Sequence, residues 1–293
     1  MASIESKIIY YALKVLNNKN SFVKKLDTGV DNTACVDPPL KFFSEFSINK
    51  KKYNGRDVFS IKPKIDVSCK YVLYFHGGAY TTNINKIHWL FLADIIRNTK
   101  CNIILPDYPL CPEYTYKDVF NMIVPIYKEY LQKVKSENLI IMGDSAGAGL
   151  ALSLCQLMKN KGIDVPSKII LISPWLDITM TDPYITSIQP HDPILNSEDL
   201  KRCGNFYSKG IDPSNYLVSP INGPIKGVGQ INLFTGTKDI LNSDARRLKE
   251  KAREKQIKIN YFEYKDMIHD WIVIGNMPEA KNSREQIFDI IRV

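Results

Sequence analysis

Ser145, at the centre of the pentapeptide Gly143–Gly147 (Gly-Asp-Ser-Ala-Gly), is the side chain of this sequence best placed for nucleophilic chemistry. An apolar run at 138–142 precedes the pentapeptide, and a run at 148–154 with the composition of a helix follows it. A Gly-x-Ser-x-Gly segment between a strand and a helix is typical of a nucleophile elbow, a sharp turn that exposes the serine hydroxyl. Glycines flank the serine because the neighbouring backbone passes too close to this strained turn for side chains. We therefore predict that Ser145 is a nucleophile.

A second glycine motif follows another apolar run. Residues 71–75 have the composition of a buried strand and lead directly into His76, Gly77 and Gly78. Acyl transfer needs backbone N–H donors aimed at the developing oxyanion, and the loss of one donor costs about 3 kcal/mol. Two successive glycines let the backbone approach a substrate with no Cβ in the way. We predict an oxyanion hole formed by the N–H groups of Gly77, Gly78 and Ala146.

The order of the histidines along the chain indicates the general base. In one known order of elbow enzymes, the acid and then the histidine follow the serine. His269 fits this order, because it follows both Ser145 and a strand-like run, whereas His191 precedes the preferred acid. Asp266 and Asp270, which flank His269, are interpreted as solvated loop charges.

Asp239 is the preferred acid. It lies in the loop after an apolar run at 231–234, and open α/β sheets place their sites beyond the C-terminal ends of their strands. Two alternatives stay open at this point. Asp177 also follows a strand-like run, and Asp244 stands in a segment that is typical of a helix N-terminus.

From about Lys70 onward the chain resembles the hormone-sensitive-lipase family of α/β-hydrolases, the esterases with an HGG(G/A) oxyanion motif. The resemblance includes Asp107–Glu113, similar to the family's D-Y-R-L-A-P-E, and Pro174–Asp177, similar to its P-W-x-D. Pro109 and Cys111 depart from the arginine and alanine usual there, which affects local packing but not the proposed chemistry. Further similar segments are Asp192–Leu195, Asp212-Pro213 and Ser219-Pro220.

The resemblance implies a serine carboxylester hydrolase with the catalytic triad Ser145, Asp239 and His269, with Asp177 as a structural residue. Such an enzyme works through an acyl-enzyme and needs no cofactor or metal. The expected substrate is a small ester with a short acyl chain. Three aromatic side chains are candidates to line its pocket, namely Tyr80, Phe206 and Tyr207. They could equally pack the cap against the core. An amidase or peptidase would use the same triad, and a non-catalytic binding member of the fold is a further alternative.

Strand and helix signals alternate after about residue 45, which predicts an α/β-hydrolase fold with a mostly parallel sheet covered by helices on both faces. Asn54-Gly55 predicts an antiparallel hairpin at the start of this sheet. The predicted core strands are 70–76, 101–106, 137–142, 168–173, 231–235 and 257–263. The predicted helices are 84–98, 115–134, 146–160, 243–255 and 282–292.

Two segments lie outside this alternation, and the resemblance implies that they form a helical cap over the site. The expected bounds are 45–180 and 223–293 for the hydrolase core and 1–44 and 181–222 for the cap. Apolar residues recur at helical spacing within 3–16, which predicts an amphipathic helix there. On periodicity alone, this helix could as well pack against the flank of the core.

The composition excludes several other classes of protein. Hydrophobic residues make up 44% of the chain and charged residues 24%, which is ordinary for a globular protein. No apolar run approaches the ~20 residues that span a bilayer, and no signal-peptide pattern is present. Six scattered cysteines indicate a reducing compartment, so we expect a cytoplasmic protein. The net charge of +8 comes from dispersed lysines without a nucleic-acid motif, so a small ester is the expected partner of a monomer or homodimer.

Overall fold

One eight-stranded sheet crosses the molecule in the computed structural model, which describes residues 2–16, 26–27 and 37–293. Its spatial order is β1-β2-β4-β3-β5-β6-β7-β8, with the β1–β2 and β2–β4 pairs antiparallel and the remaining pairs parallel. In chain order the strands are β1 Phe46–Tyr53, β2 Arg56–Pro63, β3 Tyr71–Phe75, β4 Asn102–Pro106, β5 Leu139–Asp144, β6 Lys168–Ile172, β7 Gln230–Gly236 and β8 Asn260–Tyr264. The predicted mostly parallel α/β sheet is confirmed.

The predicted hairpin joins β1 to β2. Asn54 and Gly55 have φ values of 49° and 81°, and positive φ at both central residues is what a two-residue hairpin turn of this hand requires. Asparagine and glycine are the residues that adopt this conformation most readily. The hairpin sets the antiparallel edge from which the parallel part of the sheet continues.

Helices cover both faces of the sheet, and none of those within the described residues is long and apolar enough to cross a membrane. In chain order the helices are α1 Ile4–Leu16, α2 Leu40–Glu45, α3 Lys86–Thr99, α4 Tyr116–Lys133, α5 Ser145–Asn160, α6 Tyr184–Ile188, α7 Ser197–Tyr207, α8 Asn242–Glu254, α9 Trp271–Ile274 and α10 Pro278–Arg292. Side chains alternate across each strand, so Val72 and Tyr74 of β3 pack with α3 and α10, whereas Leu73 and Phe75 pack with α4 and α5. Strands buried on both faces explain the continuous apolar runs of the sequence.

Two predicted boundaries differ from the structure by more than two residues. Strand β8 begins at Asn260 rather than 257, because Gln256 adopts a φ of 55° and the N–H of Ile257 donates to Ala252 O at 2.8 Å. This hydrogen bond belongs to the turn at the C-terminus of helix α8, so the first residues of the apolar run 257–263 lie in that turn and not in the strand. Helix α10 begins at Pro278, four residues before the predicted start, with proline in the first turn where its missing N–H costs nothing.

The two segments assigned to the cap contact the core in different ways. Helix α1 lies against α10, where the hydroxyls of Ser3 and Ser6 donate to Glu279 at 2.8 and 2.6 Å. In the segment 181–222, Asp192 Oδ2 accepts the N–H of Ile240 at 2.9 Å, beside the loop after β7. The remainder of the N-terminal cap segment, at 17–25 and 28–36, lies outside the described residues. The described part of this segment includes a helix on the flank of the core, and the division into core and cap stays a prediction.

Candidate active site

Ser145 lies at the turn between β5 and α5 with a φ of 51°, a left-handed conformation that is strained for a residue with a side chain. Glycines surround it because there is no room for a Cβ. A Cβ on Gly147 would lie 2.1 Å from the carbonyl oxygen of Phe75, and one on Gly143 would lie 2.4 Å from Gly147 O. The predicted elbow is therefore formed by close backbone approach between β3, β5 and α5.

The structure brings together the three residues that the sequence proposed as a triad. Ser145 Oγ lies 3.0 Å from His269 Nε2, and His269 Nδ1 lies 2.9 Å from Asp239 Oδ2. The loop after β7 carries Asp239 and the loop after β8 carries His269, so both side chains stand at the same edge of the sheet as the elbow. Asp239 Oδ1 accepts the N–H of Leu241 at 2.9 Å, which fixes the carboxylate. With Nδ1 bound to the carboxylate, Nε2 faces the serine as a proton acceptor.

Neither of the other two candidate acids contacts His269. Asp244 Oδ2 accepts the N–H groups of Leu176 and Asp177, each at 2.9 Å. Asp177 in turn forms an ion pair with Arg247 at 2.8 Å. Burial, reinforced by Asp177, raises the pKa of Asp244 to about 7. Both aspartates therefore fix the chain after β6 to helix α8.

Asp270, interpreted from the sequence as a solvated loop charge, is in contact with the imidazole. Its Oδ2 lies 3.1 Å from His269 Nε2, and its side chain is only 13% exposed. Asp266 does lie nearer solvent, paired with Lys238 at 3.4 Å. One sequence signal points to Asp270, namely that it directly follows the histidine; the short helix α9, which it precedes, is a finding of the structure.

Carboxylates at both ring nitrogens change the titration of His269. Burial alone would lower the pKa of the imidazole, but the negative charges of Asp239 and Asp270 outweigh it, and the pKa of His269 lies well above its ordinary value. Burial raises the pKa of Asp270 to about 6, although the neighbouring histidine opposes this. The protonated imidazole is consequently stabilised in this site.

One predicted oxyanion donor is wrong in the loop after β3, residues 76–79, called the oxyanion loop below. The N–H of Gly77 donates to Asp144 Oδ2 at 3.0 Å, so it is not free to bind an oxyanion. Gly78 has a φ of 110° and lies in the wall of the cavity at Ser145. Within the described part of the chain, neither the Gly78 N–H nor the Ala79 N–H has an acceptor. The first-turn N–H of Ala146 has no acceptor within its helix. Gly78, Ala79 and Ala146 therefore have N–H groups that are not bound by another part of the described chain.

Asp144 is a buried carboxylate that the sequence reasoning passed over. Besides Gly77 it accepts hydrogen bonds from the hydroxyl of Tyr74 and, at 3.3 Å, from His88 Nε2. The Asn85 N–H points to His88 Nδ1, so that nitrogen is the acceptor and Nε2 carries the proton. Burial would raise the pKa of Asp144, but its histidine and tyrosine donors outweigh this and hold it below the usual value. One carboxylate thus joins β3, the oxyanion loop, α3 and the elbow.

A cavity of about 160 Å³ has Ser145 and His269 in its wall. The apolar side chains that line it are not the ones proposed from the sequence. They are Ile87, Ile194, Val273 and Ile274. These side chains stand on α3, in the segment 181–222 and on α9. The cavity is therefore lined by residues of α3, of α9 just after His269 and of the segment 181–222.

None of the three aromatic residues proposed for the pocket lines this cavity. The rings of Tyr80 and Tyr207 stack with centroids 3.7 Å apart, both fully buried, and Phe206 is half-buried beside them. Tyr80 has a φ of 60° and its hydroxyl donates to Ala146 O at 2.9 Å, which turns the ring into the core. The alternative interpretation holds, in which these aromatics pack α7 against the core.

Comparison with known proteins agrees with this fold. A family model described as alpha/beta hydrolase fold matches residues 72–273. An esterase of Acinetobacter venetianus is 32% identical over 219 residues, 74% of this chain and 72% of that protein. An acetyl-hydrolase of Streptomyces hygroscopicus is 27% identical over 201 residues, 68% of this chain and 67% of that protein. A crystal structure of an esterase from the bacterial hormone-sensitive lipase family shares the fold, with a TM-score of 0.84, 22% identity and coverage of 100% of this chain and 99% of that chain.

The chain therefore belongs to the α/β-hydrolase family, and its resemblance to the hormone-sensitive-lipase-type esterases is confirmed. The predicted enzyme class, a carboxylesterase, is confirmed by the same comparisons.

Proposed function

We propose that the protein hydrolyses carboxylic esters through a covalent acyl-enzyme formed on Ser145, with His269 as general base and Asp239 as its orienting acid. The observation that carries this proposal is the chain of two hydrogen bonds, 3.0 and 2.9 Å long, that links the serine, the imidazole and the carboxylate. The three side chains are buried at the carboxyl edge of the sheet, where little water competes for these contacts.

In the proposed reaction, Ser145 Oγ attacks the ester carbonyl carbon while His269 Nε2 accepts the hydroxyl proton. The oxyanion that forms is bound by the free backbone N–H groups of the oxyanion loop and elbow, with Ala79 taking the place first predicted for Gly77. Collapse of the intermediate breaks the bond to the alcohol, which leaves with the proton from Nε2. A water molecule then repeats the two proton transfers and releases the acid.

We propose a small ester with a short acyl chain as the substrate. A cavity of about 160 Å³ is smaller than the roughly 300–1,000 Å³ of typical ligand pockets, which suits a short acyl group. Each added methylene contributes about 0.8 kcal/mol only while the apolar wall still has room for it. We therefore expect kcat/KM to rise from acetyl, to peak at or below hexanoyl and then to fall. A best rate with dodecanoyl or longer esters would exclude this substrate class.

Substitution of the serine tests the proposed nucleophile. Ser145→Ala should lower kcat for a chromogenic butyrate ester by about 10⁴-fold or more, because the triad acts as one unit. A serine-directed phosphonate should add one equivalent to the wild-type protein at Ser145, as mass spectrometry of the labelled peptide would show. Retention of most of the esterase activity by the alanine variant would exclude the proposed mechanism.

Three isosteric variants test the proposed acid. Asp239→Asn should stay folded and lose about 10⁴-fold in kcat, since the amide no longer enforces the tautomer of His269. The matched controls are Asp177→Asn and Asp244→Asn, which alter buried carboxylates of similar surroundings without contact to the imidazole. These two control substitutions should mainly lower the free energy of unfolding and should have only a small effect on kcat. An inactive, folded Asp177→Asn beside an active Asp239→Asn would move the acid to the loop after β6.

A further inference from the structure

Both ring nitrogens of His269 face a carboxylate. Asp239 Oδ2 lies 2.9 Å from Nδ1, and Asp270 Oδ2 lies 3.1 Å from Nε2. Nε2 is also the nitrogen 3.0 Å from Ser145 Oγ. The second carboxylate therefore stands beside the atom that takes and gives the proton in the proposed reaction.

The backbone holds Asp270 in this position. The residue has a φ of 51°, and its N–H donates to Ser173 Oγ at 3.1 Å, which ties it to the end of β6. Its other carboxylate oxygen, Oδ1, is buried and has no hydrogen-bond partner among the described residues. A strained backbone and an unsatisfied buried oxygen are both unfavourable by themselves. The contact with His269 Nε2 is the favourable interaction that this arrangement provides.

We propose that Asp270 is a positioning residue of the proton transfer, which holds the proton of the His269 imidazolium at Nε2, next to Ser145 and the leaving group. This inference rests on the proposed function and adds a residue to it. During attack the Oγ–H bond breaks, the proton passes to Nε2 and the Oγ electron pair forms the bond to carbon. When the alcohol leaves, the proton moves from Nε2 to its oxygen. Asp270 takes no proton in either step and contributes only its negative charge.

The other charges around the imidazole come from every element that packs near it. They are Asp192 of the segment 181–222, which interacts with His269, and Asp144 at the end of β5, which interacts with Asp270. In the adjoining loops, Lys238 and Asp266 pair with each other. Asp144 is held by its own donors, Asp192 by backbone N–H groups, and Lys238 by its pairing with Asp266. Asp239 and Asp270 are therefore the carboxylates in direct contact with the ring nitrogens.

The consequence is a shifted pH dependence. A nearby carboxylate favours the imidazolium and so raises the pKa of His269, whereas the general base must be neutral. The acid limb of kcat/KM should lie above the ordinary histidine pKa of about 6.5. Removal of the Asp270 charge should move the limb to lower pH, because the neutral imidazole then exists at a lower pH.

The test is the pH profile of kcat/KM for a neutral butyrate ester between pH 5 and 9. Asp270→Asn and Asp270→Gly both remove the charge, and asparagine and glycine adopt the left-handed backbone conformation readily. The acid limb of each variant should lie at least about one pH unit below that of the wild type, the usual minimum for a charge in contact. Asp266→Asn is the matched control: it removes a loop carboxylate from the same segment and should leave the limb in place.

A second measurement does not depend on turnover. The ring resonances of His269 are titrated by NMR in the Ser145→Ala protein, with and without Asp270→Asn. The midpoint should fall by the same amount as the acid limb. Equal midpoints, or an acid limb of Asp270→Asn that coincides with those of the wild type and Asp266→Asn, would overturn the role of Asp270. An active Ser145→Ala protein would instead overturn the proposed nucleophile, so the two failures are distinguishable.

Discussion

Gly147→Ala is the perturbation that most directly tests how the elbow is built. The added methyl carbon would lie 2.1 Å from the Phe75 carbonyl oxygen and 2.6 Å from that of His76. Both atoms belong to backbone, one at the end of β3 and one in the oxyanion loop, so neither can rotate away as a side chain could. The only relief is movement of helix α5 away from β3.

The expected cost follows from this contact. Overpacking of a well-packed core costs about 1–3 kcal/mol, and a clash with backbone on a central strand belongs at the upper end. For 293 residues, an unfolding entropy of about 2 cal/mol/K per residue gives about 0.6 kcal/mol/K, so a loss of about 3 kcal/mol lowers Tm by about 5 °C. Displacement of the serine from the oxyanion loop by about 1 Å should lower kcat/KM by about 100-fold.

Gly162→Ala is the matched control, because the two glycines lie on the same helix–loop unit and differ in what surrounds them. A Cβ on Gly162 meets nothing within 4 Å, but the residue has a φ of 65°. It should lose about 1–2 kcal/mol from backbone strain alone and keep the wild-type kcat/KM. Thermal unfolding and ester turnover are measured on both proteins. If Gly147→Ala matches Gly162→Ala in Tm and in kcat/KM, close backbone approach does not explain the glycines of the elbow.

Two further substitutions test the pocket. Tyr207→Ala removes the ring stacked on Tyr80 and should lower the free energy of unfolding, measured in urea, by about 3–5 kcal/mol. Because neither ring lines the cavity, the order of preference among acyl chains should be unchanged. A changed order would show that these residues do line the pocket. Val273→Phe fills part of the cavity of about 160 Å³. It should lower the ratio of kcat/KM for the butyrate ester to that for the acetate ester by at least about tenfold. An unchanged ratio would show that the acyl group binds elsewhere.

The sequence predicted those features of the site that depend on short segments. An apolar run, a glycine-flanked serine and a helix-forming run specify the elbow locally, and the parallel sheet brings loops after successive strands to one edge. His269 could therefore be proposed from its order along the chain, and Asp239 is preferred because it lies in a loop after an apolar run. Asp177 and Asp244 could be set aside only once their contacts to backbone and Arg247 were known.

The features that the sequence did not predict depend on the orientation of individual side chains. The carboxylate of Asp144 reaches Gly77 across 67 positions of the chain, and no local pattern specifies that orientation. Tyr80 was expected at the pocket because it adjoins the oxyanion glycines, but its positive φ directs the ring inward to Tyr207. The sequence predicts a solvated Asp270, because charged loop residues usually are solvated, whereas its backbone conformation directs the side chain at the imidazole.

The Asp144 carboxylate also bears on how the protein acquires its activity during folding. Its three hydrogen-bond partners lie 70, 67 and 56 positions away along the chain, at Tyr74, Gly77 and His88. Contacts of such long range form late, because the intervening chain must first be ordered. A chain in which β3 and α3 have formed but β5 has not yet joined them leaves the oxyanion loop without its anchor. Enzymatic activity should accordingly return in refolding only with the slowest recovery of native fluorescence, after the far-ultraviolet helix signal is already restored.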